Sequence, residues 1–463
     1  MKKQTRLVAF VMSLAVLPTT AGAAGAADDD SPLTYRRFTV EEADGQIVSM
    51  KPVPDKALPR WAREVSQKTS DWSSRSDADK PFFAKPIPFV IRPADEGEPF
   101  HPHNHQPSIT WCNNGDLLAI WYSTVREVGT EMTVLASRLR SGSNQWDPAS
   151  EFFKARNRNM TGSALFRDGE GKLYHFNGMG PDGVRGWAKL ALLMRTSRDN
   201  GVTWTPPRAI DPRLIGRHQV ISGTLMTKSG ALIQNCDAVP GGNGGTALHI
   251  SQDGGETWTD PGEGKPGPTF KAGGVGEGTI AGIHAQVVEL NDGKLMALGR
   301  GDAINGRMPM SLSDDLGKTW MYRASPFAPI GGGQRLVLAR LKEGPIFFAS
   351  FAEKITITGA SGRQRPVSGL FAALSTDEGK SWQIKRLISD DGPPREVDGG
   401  GNTGKFTMSH QSAEPRGYMS FCQTPDGVIH LISSKQHYAF NLTWLNTPPP
   451  AAPAPRHETG DPR

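Results

Sequence analysis

Six short stretches of the 463-residue chain carry side chains able to hold an anion or move a proton, and each precedes or opens an alternating apolar run. They are His103-Asn104-His105-Gln106, Arg158-Asn159-Met160, Arg217-His218-Gln219, Ile283-His284-Ala285, Gln334-Arg335 and Arg416-Gly417-Tyr418. Histidine titrates near neutral pH and works as a base or an acid. Tyrosine can donate or accept a proton at a departing oxygen. Arginine matches a carboxylate in a fixed fork. If the six stretches converge, they make a concave polar site, the default location for binding and catalysis. The bland alternative is that one or two of them cap strands or stabilise turns.

A repeat supplies the means of convergence. The phrase Ser-x-Asp-x-Gly-x-(Thr/Ser)-Trp occurs at Ser197–Trp204, Ser251–Trp258, Ser313–Trp320 and Ser375–Trp382, with a worn copy ending at Trp146. These tryptophans recur every 54 to 62 residues, and a unit of that size cannot bury its apolar face alone. Ser and Asp bond their own backbone, Gly supplies a positive φ, and Trp packs beneath the turn. The aspartates are therefore turn-formers rather than catalysts. Between the phrases, alternating runs are split by turns near Gly115, Gly171, Gly230, Gly293, Gly344 and Gly427, which are hairpin signals. No segment longer than about 10 residues carries a helical period. Four strands per unit, repeated radially, form a β-propeller blade. The fold expected is all-β, a propeller of six four-stranded blades with seven as the alternative. The outer strand closing the ring is expected from Pro88–Arg92.

The ends differ from the middle. Residues 1–27 have the plan of a secretory signal: Lys2, Lys3 and Arg6, an apolar Leu7–Leu17 core, and a small-residue cleavage site at Ala21-Gly22-Ala23. Export to the periplasm or medium is expected, with no membrane span, since no later apolar run approaches 18 residues. Residues 28–85 form a polar arm with a short helix near Trp61–Val65, residues 86–446 the propeller, and residues 447–463 a disordered Pro/Ala tail. A net charge of +5 does not imply a nucleic-acid partner, and a monomer is expected. Cys112, Cys236 and Cys422 lack metal-ligand spacing and form one disulfide at most, or three buried thiols.

The repeated Asp-box phrases, the leader and the stretch Val287–Arg300 resemble the sialidase (neuraminidase) superfamily of Asp-box, or BNR, propellers, over roughly residues 85–446. The resemblance implies an arginine cluster for a substrate carboxylate, a tyrosine nucleophile and an acid-base carboxylate. Arg300 resembles the second arginine of that cluster, Arg335 the third, and Tyr418 the nucleophile. The sequence departs elsewhere. His103-Asn104-His105-Gln106 stands where the first arginine belongs, His284 where the partner glutamate belongs, and Arg126-Glu127 to Glu131 near the acid-base aspartate. The His103-Asn104-His105 patch is similar instead to ulvan-lyase-like and rhamnosyl-glucuronate-cleaving propellers.

The first reading is thus an exported lyase cleaving an acidic oligo- or polysaccharide by β-elimination. His105, Tyr418, His284 and His218 are its catalytic candidates. Arg300, Arg335, His103, Asn104, Arg126, Glu127 and Arg217 are its substrate-binding candidates. An exo-sialidase-type hydrolase is the alternative, and a non-catalytic carbohydrate-binding propeller the second alternative. No cofactor is expected. His101, His103 and His105 alternate on one face of an extended segment, so a zinc site is the alternative there, as is a structural calcium. His437, Tyr438 and Asn441 either line the funnel or pack the ring closure. Arg185, Trp187 and Lys189 are read as an exposed loop, with a substrate lip as the alternative.

Overall fold

The computed structural model describes residues 35–54, 57–73, 78–95, 97–238 and 244–450. The leader of residues 1–27 and all but the first residues of the expected 447–463 tail lie outside them.

The alternating runs pair as successive antiparallel sets. The first is His103–Trp111, Leu117–Thr124, Thr133–Leu139 and Ser150–Ala155. The second is Ser163–Arg167, Leu173–Met179, Leu190–Ser197 and Arg208–Ile215. In the third, the inner strand is broken into Gln219–Val220 and Leu225–Met226, followed by Leu232–Asp237, Thr246–Ser251 and Thr279–Ile280. The fourth, Ile283–Glu289, Leu295–Arg300, Pro309–Ser313 and Thr319–Ala324, carries an added edge strand, Gly274–Glu277. The fifth is Val337–Arg340, Ile346–Thr358, Gln364–Ser375 and Gln383–Leu387. The sixth is Ser420–Gln423, Val428–Ile432 and Gln436–Asn441, closed by Phe83–Pro88 from the start of the chain. Four sets are thus complete and two irregular. The inner strand of the first set packs on that of the second, that of the fourth on that of the fifth, and that of the sixth on that of the first, while the third set touches both its neighbours. This is a β-propeller.

The local devices follow from the residues. Each of the six hairpin glycines donates its N–H to the carbonyl three residues back, as Gly115 does to Cys112 and Gly293 to Leu290. In the Asp-box, Ser197 Oγ donates to Asp199 (2.8 Å), Asp199 accepts from the Thr203 N–H (2.9 Å) and hydroxyl (2.5 Å), and Trp204 Nε1–H donates to Gly201 O (3.1 Å). The same serine, aspartate and threonine or serine bonds recur at Asp253, Asp315 and Asp377. Trp204 is 2 % exposed, and truncating such a side chain costs about 3–5 kcal/mol.

Two expectations are corrected. The closing strand is Phe83–Pro88 rather than Pro88–Arg92, so it begins inside the expected arm. Pro86 and Pro88 cannot donate to a ladder, which confines them to the edge position they occupy. The arm itself is more than a polar wrap. Arg37–Ala43 and Gln46–Val53 form a hairpin that joins the outer strand of the first set to that of the second, and the helix near Trp61 is a single 3-10 turn, Arg60–Ala62. All three cysteines are free and buried, so the disulfide alternative is not realised. No helix among the described residues is long and apolar enough to cross a membrane.

Candidate active site

Inner strands begin, and second strands end, around one mouth of the propeller. A pocket of about 380 Å³ opens there, lined by His105, Tyr122, Glu127, Asp237, His284, Arg300 and Tyr418 among others. Two backbone irregularities aim the histidines. The pairing slips between His105 and Ser108 and between Ile283 and Gln286, with Gln106 and His284 at φ +52° in each case. A bulge of this kind re-aims a side chain, and left-handed backbone at a non-glycine residue marks a position held by its surroundings.

Tyr418 is the meeting point. Its hydroxyl accepts from Arg300 Nη1 (2.8 Å) and lies 2.9 Å from His284 Nε2. His284 Nδ1 faces Asp237 Oδ2 at 2.8 Å, while Asp237 Oδ1 accepts the His284 backbone N–H at 2.6 Å. The carboxylate therefore keeps the imidazole proton on Nδ1 and leaves Nε2 as an acceptor for the phenol. The His105 ring stands 3.9 Å from the Tyr418 ring, centroid to centroid. Arg335 lies near the same ring, its guanidinium carbon 5.3 Å from the Tyr418 centroid, and is buried outside the pocket lining. Arg335 donates to Met419 O and Pro107 O, and its Nη1 is buried without a partner. At Gly417 a Cβ would stand 1.9 Å from Ser433 Oγ, so only glycine lets this short strand seat the tyrosine.

A second group faces it. Glu127 accepts from Tyr122 Oη (3.0 Å), contacts His103 Nε2 (3.3 Å) and lies 3.8 Å from His105 Nε2. The Asn159 carboxamide donates to Glu127 O and Gly129 O, fixing the loop that carries it. Three hydroxyls meet between the inner strands: Ser108 Oγ is 3.1 Å from Ser222 Oγ, itself 2.8 Å from Ser420 Oγ.

Environment sets the protonation states. Burial holds the His105 and His284 imidazoles below their ordinary value, so both are neutral. Burial raises the Tyr418 phenol, against the opposing pull of Arg300. Burial lowers Arg335 to about 10. The hydrogen bond from His103, helped by His105 and Tyr122, holds Glu127 down to about 2. The site thus offers neutral bases, a protonated phenol and cations.

Of the sequence candidates, the fold brings His105, His284, Arg300, Tyr418 and Glu127 to the pocket, with Arg335 buried near Tyr418 and His103 at Glu127, both outside the lining. Four others are elsewhere. His218 Nδ1 donates to Leu190 O and its Nε2 faces Asp211, wedged between the second and third sets. Arg217 is clamped by Asp260. Asn104 accepts from Trp121 Nε1 and donates to His101 O. Arg126 is exposed outside the lining. His437, Tyr438 and Asn441 pack the ring closure, against Trp146, Glu414 and the Leu442–Asn446 helix. His101 offers its backbone N–H to Ser123 rather than joining His103 and His105 at Glu127, and among the described residues no trio of His, Cys, Asp or Glu is placed to hold a metal ion. Sequence reasoning missed Tyr122 and Asp237, and left Gln106 and Trp187 outside the site. All four line the pocket.

A family model described as a BNR repeat-like domain matches residues 115–431. No curated protein matches the chain. Among solved structures, the intramolecular trans-sialidase of Ruminococcus gnavus, in complex with oseltamivir carboxylate, aligns with a TM-score of 0.52 at 13% identity, covering 78% of this chain and 99% of the other. A Dyadobacter fermentans protein of unknown function aligns at 0.50, with the same identity and coverage. The NanB sialidase of Streptococcus pneumoniae aligns at 0.49 and 13% identity, over 77% of this chain and 71% of its own. At these identities the likeness is one of fold.

Proposed function

The chain belongs to the BNR repeat-like domain family, and from that premise we propose that it is a carbohydrate-active enzyme cleaving a glycosidic bond beside an acidic sugar. One observation carries the reading. The Tyr418 hydroxyl is held between Arg300 and His284, with the partly unpaired guanidinium of Arg335 buried near its ring. Two buried cations around a reactive phenol call for an anionic substrate, and a carboxylate suits their geometry.

The protonation states favour β-elimination on a uronate. Arg300, which lines the pocket, neutralises the carboxylate, with the buried charge of Arg335 behind the lining adding to the field, and so acidifies the C5 proton. Neutral His105 takes that proton, and the C5–H electron pair becomes the C4–C5 double bond as the C4–O bond breaks. Tyr418 gives its proton to the departing oxygen and is left as a phenolate beside Arg300. Protons then exchange with water to restore both groups. A protonated carboxylic acid, which a hydrolase would need for its leaving group, is not offered by Glu127 at about 2.

A second reading rests on the other face of the same phenol. His284, oriented by Asp237, is placed to take the Tyr418 proton and make it a nucleophile, as in a sialidase-type hydrolase. The two separate by product. The purified protein is incubated with uronic-acid polysaccharides and sialosides, scoring an ultraviolet-absorbing unsaturated uronate and free sialic acid. The unsaturated product is expected. Free sialic acid alone moves the assignment to the hydrolase, and neither product from any substrate ends the enzymatic reading. We further propose that it works outside the cytoplasm, on the strength of the Lys2–Ala23 leader.

A further inference from the structure

The pocket has a wall that the chemistry above leaves idle. Trp187 lines it, half-buried, from the Gly180–Lys189 loop between the middle strands of the second set. That loop is pinned beside Glu127, since the Gly186 N–H donates to Val128 O at 2.9 Å. Thr161 and Gln219 line the same pocket from the inner ends of the second and third sets, and both are buried.

Trp187 differs from the other ten tryptophans. Nine of them donate the indole N–H or pack against another aromatic ring or a guanidinium. The tenth, Trp320, is 1 % exposed inside the core. Among the described residues Trp187 has no such contact, and neither the Thr161 hydroxyl nor the Gln219 carboxamide has a hydrogen-bond partner. A half-buried indole with no ring, guanidinium or hydrogen-bond partner, beside unpaired polar groups in a concave wall, has the makings of a pyranose site: C–H groups stack on the ring and hydroxyls take the polar atoms. It also stands on a different part of the ring from the cations. Trp187 comes from the second set, whereas Arg300, Arg335 and Tyr418 come from the fourth to the sixth.

We infer that Trp187, with Thr161 and Gln219, forms a subsite for the uncharged sugar on the leaving side of the scissile bond. The inference rests on the acidic-sugar reading and deepens it. A chain of at least two sugars, one acidic and one neutral, then becomes the preferred ligand over a free acidic monosaccharide.

The test uses the full protein carrying Tyr418→Phe, which blocks turnover, and calorimetric Kd values for two probe pairs. One pair is glucuronic acid and a disaccharide in which a neutral hexose is borne on its O4, the oxygen that departs. The other substitutes N-acetylneuraminic acid and its galactoside. Within the pair that binds, the disaccharide is expected to be tighter by about tenfold, the scale of one good aromatic contact. Adding Trp187→Ala should erase that advantage and leave the monosaccharide Kd unchanged. Trp187→Phe should keep most of it, which separates stacking from a folding defect. An advantage that survives Trp187→Ala, or an equal loss for both members of a pair, overturns the subsite while leaving the acidic-sugar reading intact. If neither monosaccharide nor disaccharide of either pair binds, the acidic-sugar reading falls and the subsite falls with it.

Discussion

His284 and His218 are built alike and end differently. Each lies beside the start of an inner strand, each is almost fully buried, and each has an aspartate on one ring nitrogen, Asp237 and Asp211 respectively. The other nitrogen decides the outcome. In His284 it meets the Tyr418 hydroxyl, which opens on the pocket and on two arginines. In His218 it ends on the carbonyl of Leu190, a main-chain acceptor with no chemistry to pass on. An Asp–His pair is thus a mounting, and what it mounts determines whether it is structural or reactive.

Exchanging the groups the two histidines serve is the strongest way to break the comparison. Tyr418→Phe should lower kcat on the active substrate by roughly 10²–10⁴-fold, the range of a lost proton-transfer group, and His284→Ala by about 10–100-fold as the partner that orients the phenol, or by as much as Tyr418→Phe if it is the base of the second reading. His218→Ala should leave kcat within a few-fold and lower Tm instead. A His218 variant as inactive as the His284 variant, with its Tm intact, would undo the distinction. Gly417→Ala joins the first class by another route. The added Cβ at 1.9 Å from Ser433 Oγ must displace that hydroxyl or the strand that carries Tyr418. Overpacking of this kind costs about 1–3 kcal/mol, so stability and rate should fall together.

The aspartates sharpen the contrast with a smaller effect. Asp237→Asn should reduce kcat by about 10–100-fold, the usual size of an orienting partner's contribution, and move the acid limb of the pH–rate profile. Asp211→Asn should do neither. A purely structural role for Asp237 would lower Tm without changing the profile.

How far the sequence revealed this site depends on the distance over which each residue acts. The Asp-boxes and hairpin glycines were legible because a Ser, an Asp or a Gly acts on its own backbone within four residues. His105, Arg335 and Tyr418 were legible once inner strands were recognised, since their starts share one mouth. Asp237 was not, because it meets His284 through space across 47 positions. A signal was available all the same. Second strands end where inner strands begin, and Tyr122, Asp237 and Arg300 all stand at or near the ends of second strands. The misassigned residues have the converse cause. Arg217, His218 and Asn104 stand beside the right strand ends, but their side chains turn to neighbouring strands and loops, a choice made by packing rather than by sequence position.

The least perturbing test asks whether the two regions part company with pH. The His249 ring lies tilted against that of His218, 5.1 Å between ring centroids, and donates Nε2–H to Arg217 O. Burial, with some help from His218, holds it down to about 4 from an ordinary 6.5. A group whose pKa is depressed by folding gives stability that is present above 6.5 and lost as pH falls toward 4, because the unfolded chain binds the proton first. Burial lowers His105 and His284 in the same direction, so both regions should weaken the fold on the acid side. Only the second pair should also govern the rate. His249→Gln should therefore make the unfolding free energy less steep in pH over this window, by up to about 1.4 kcal/mol per pH unit for the one proton removed, and leave the pH–rate profile where it was. His284→Gln should change both. An unaltered slope in the His249 variant would place the proton uptake in other groups. A shifted rate profile in that variant would mean that the His218 cluster reaches the pocket after all.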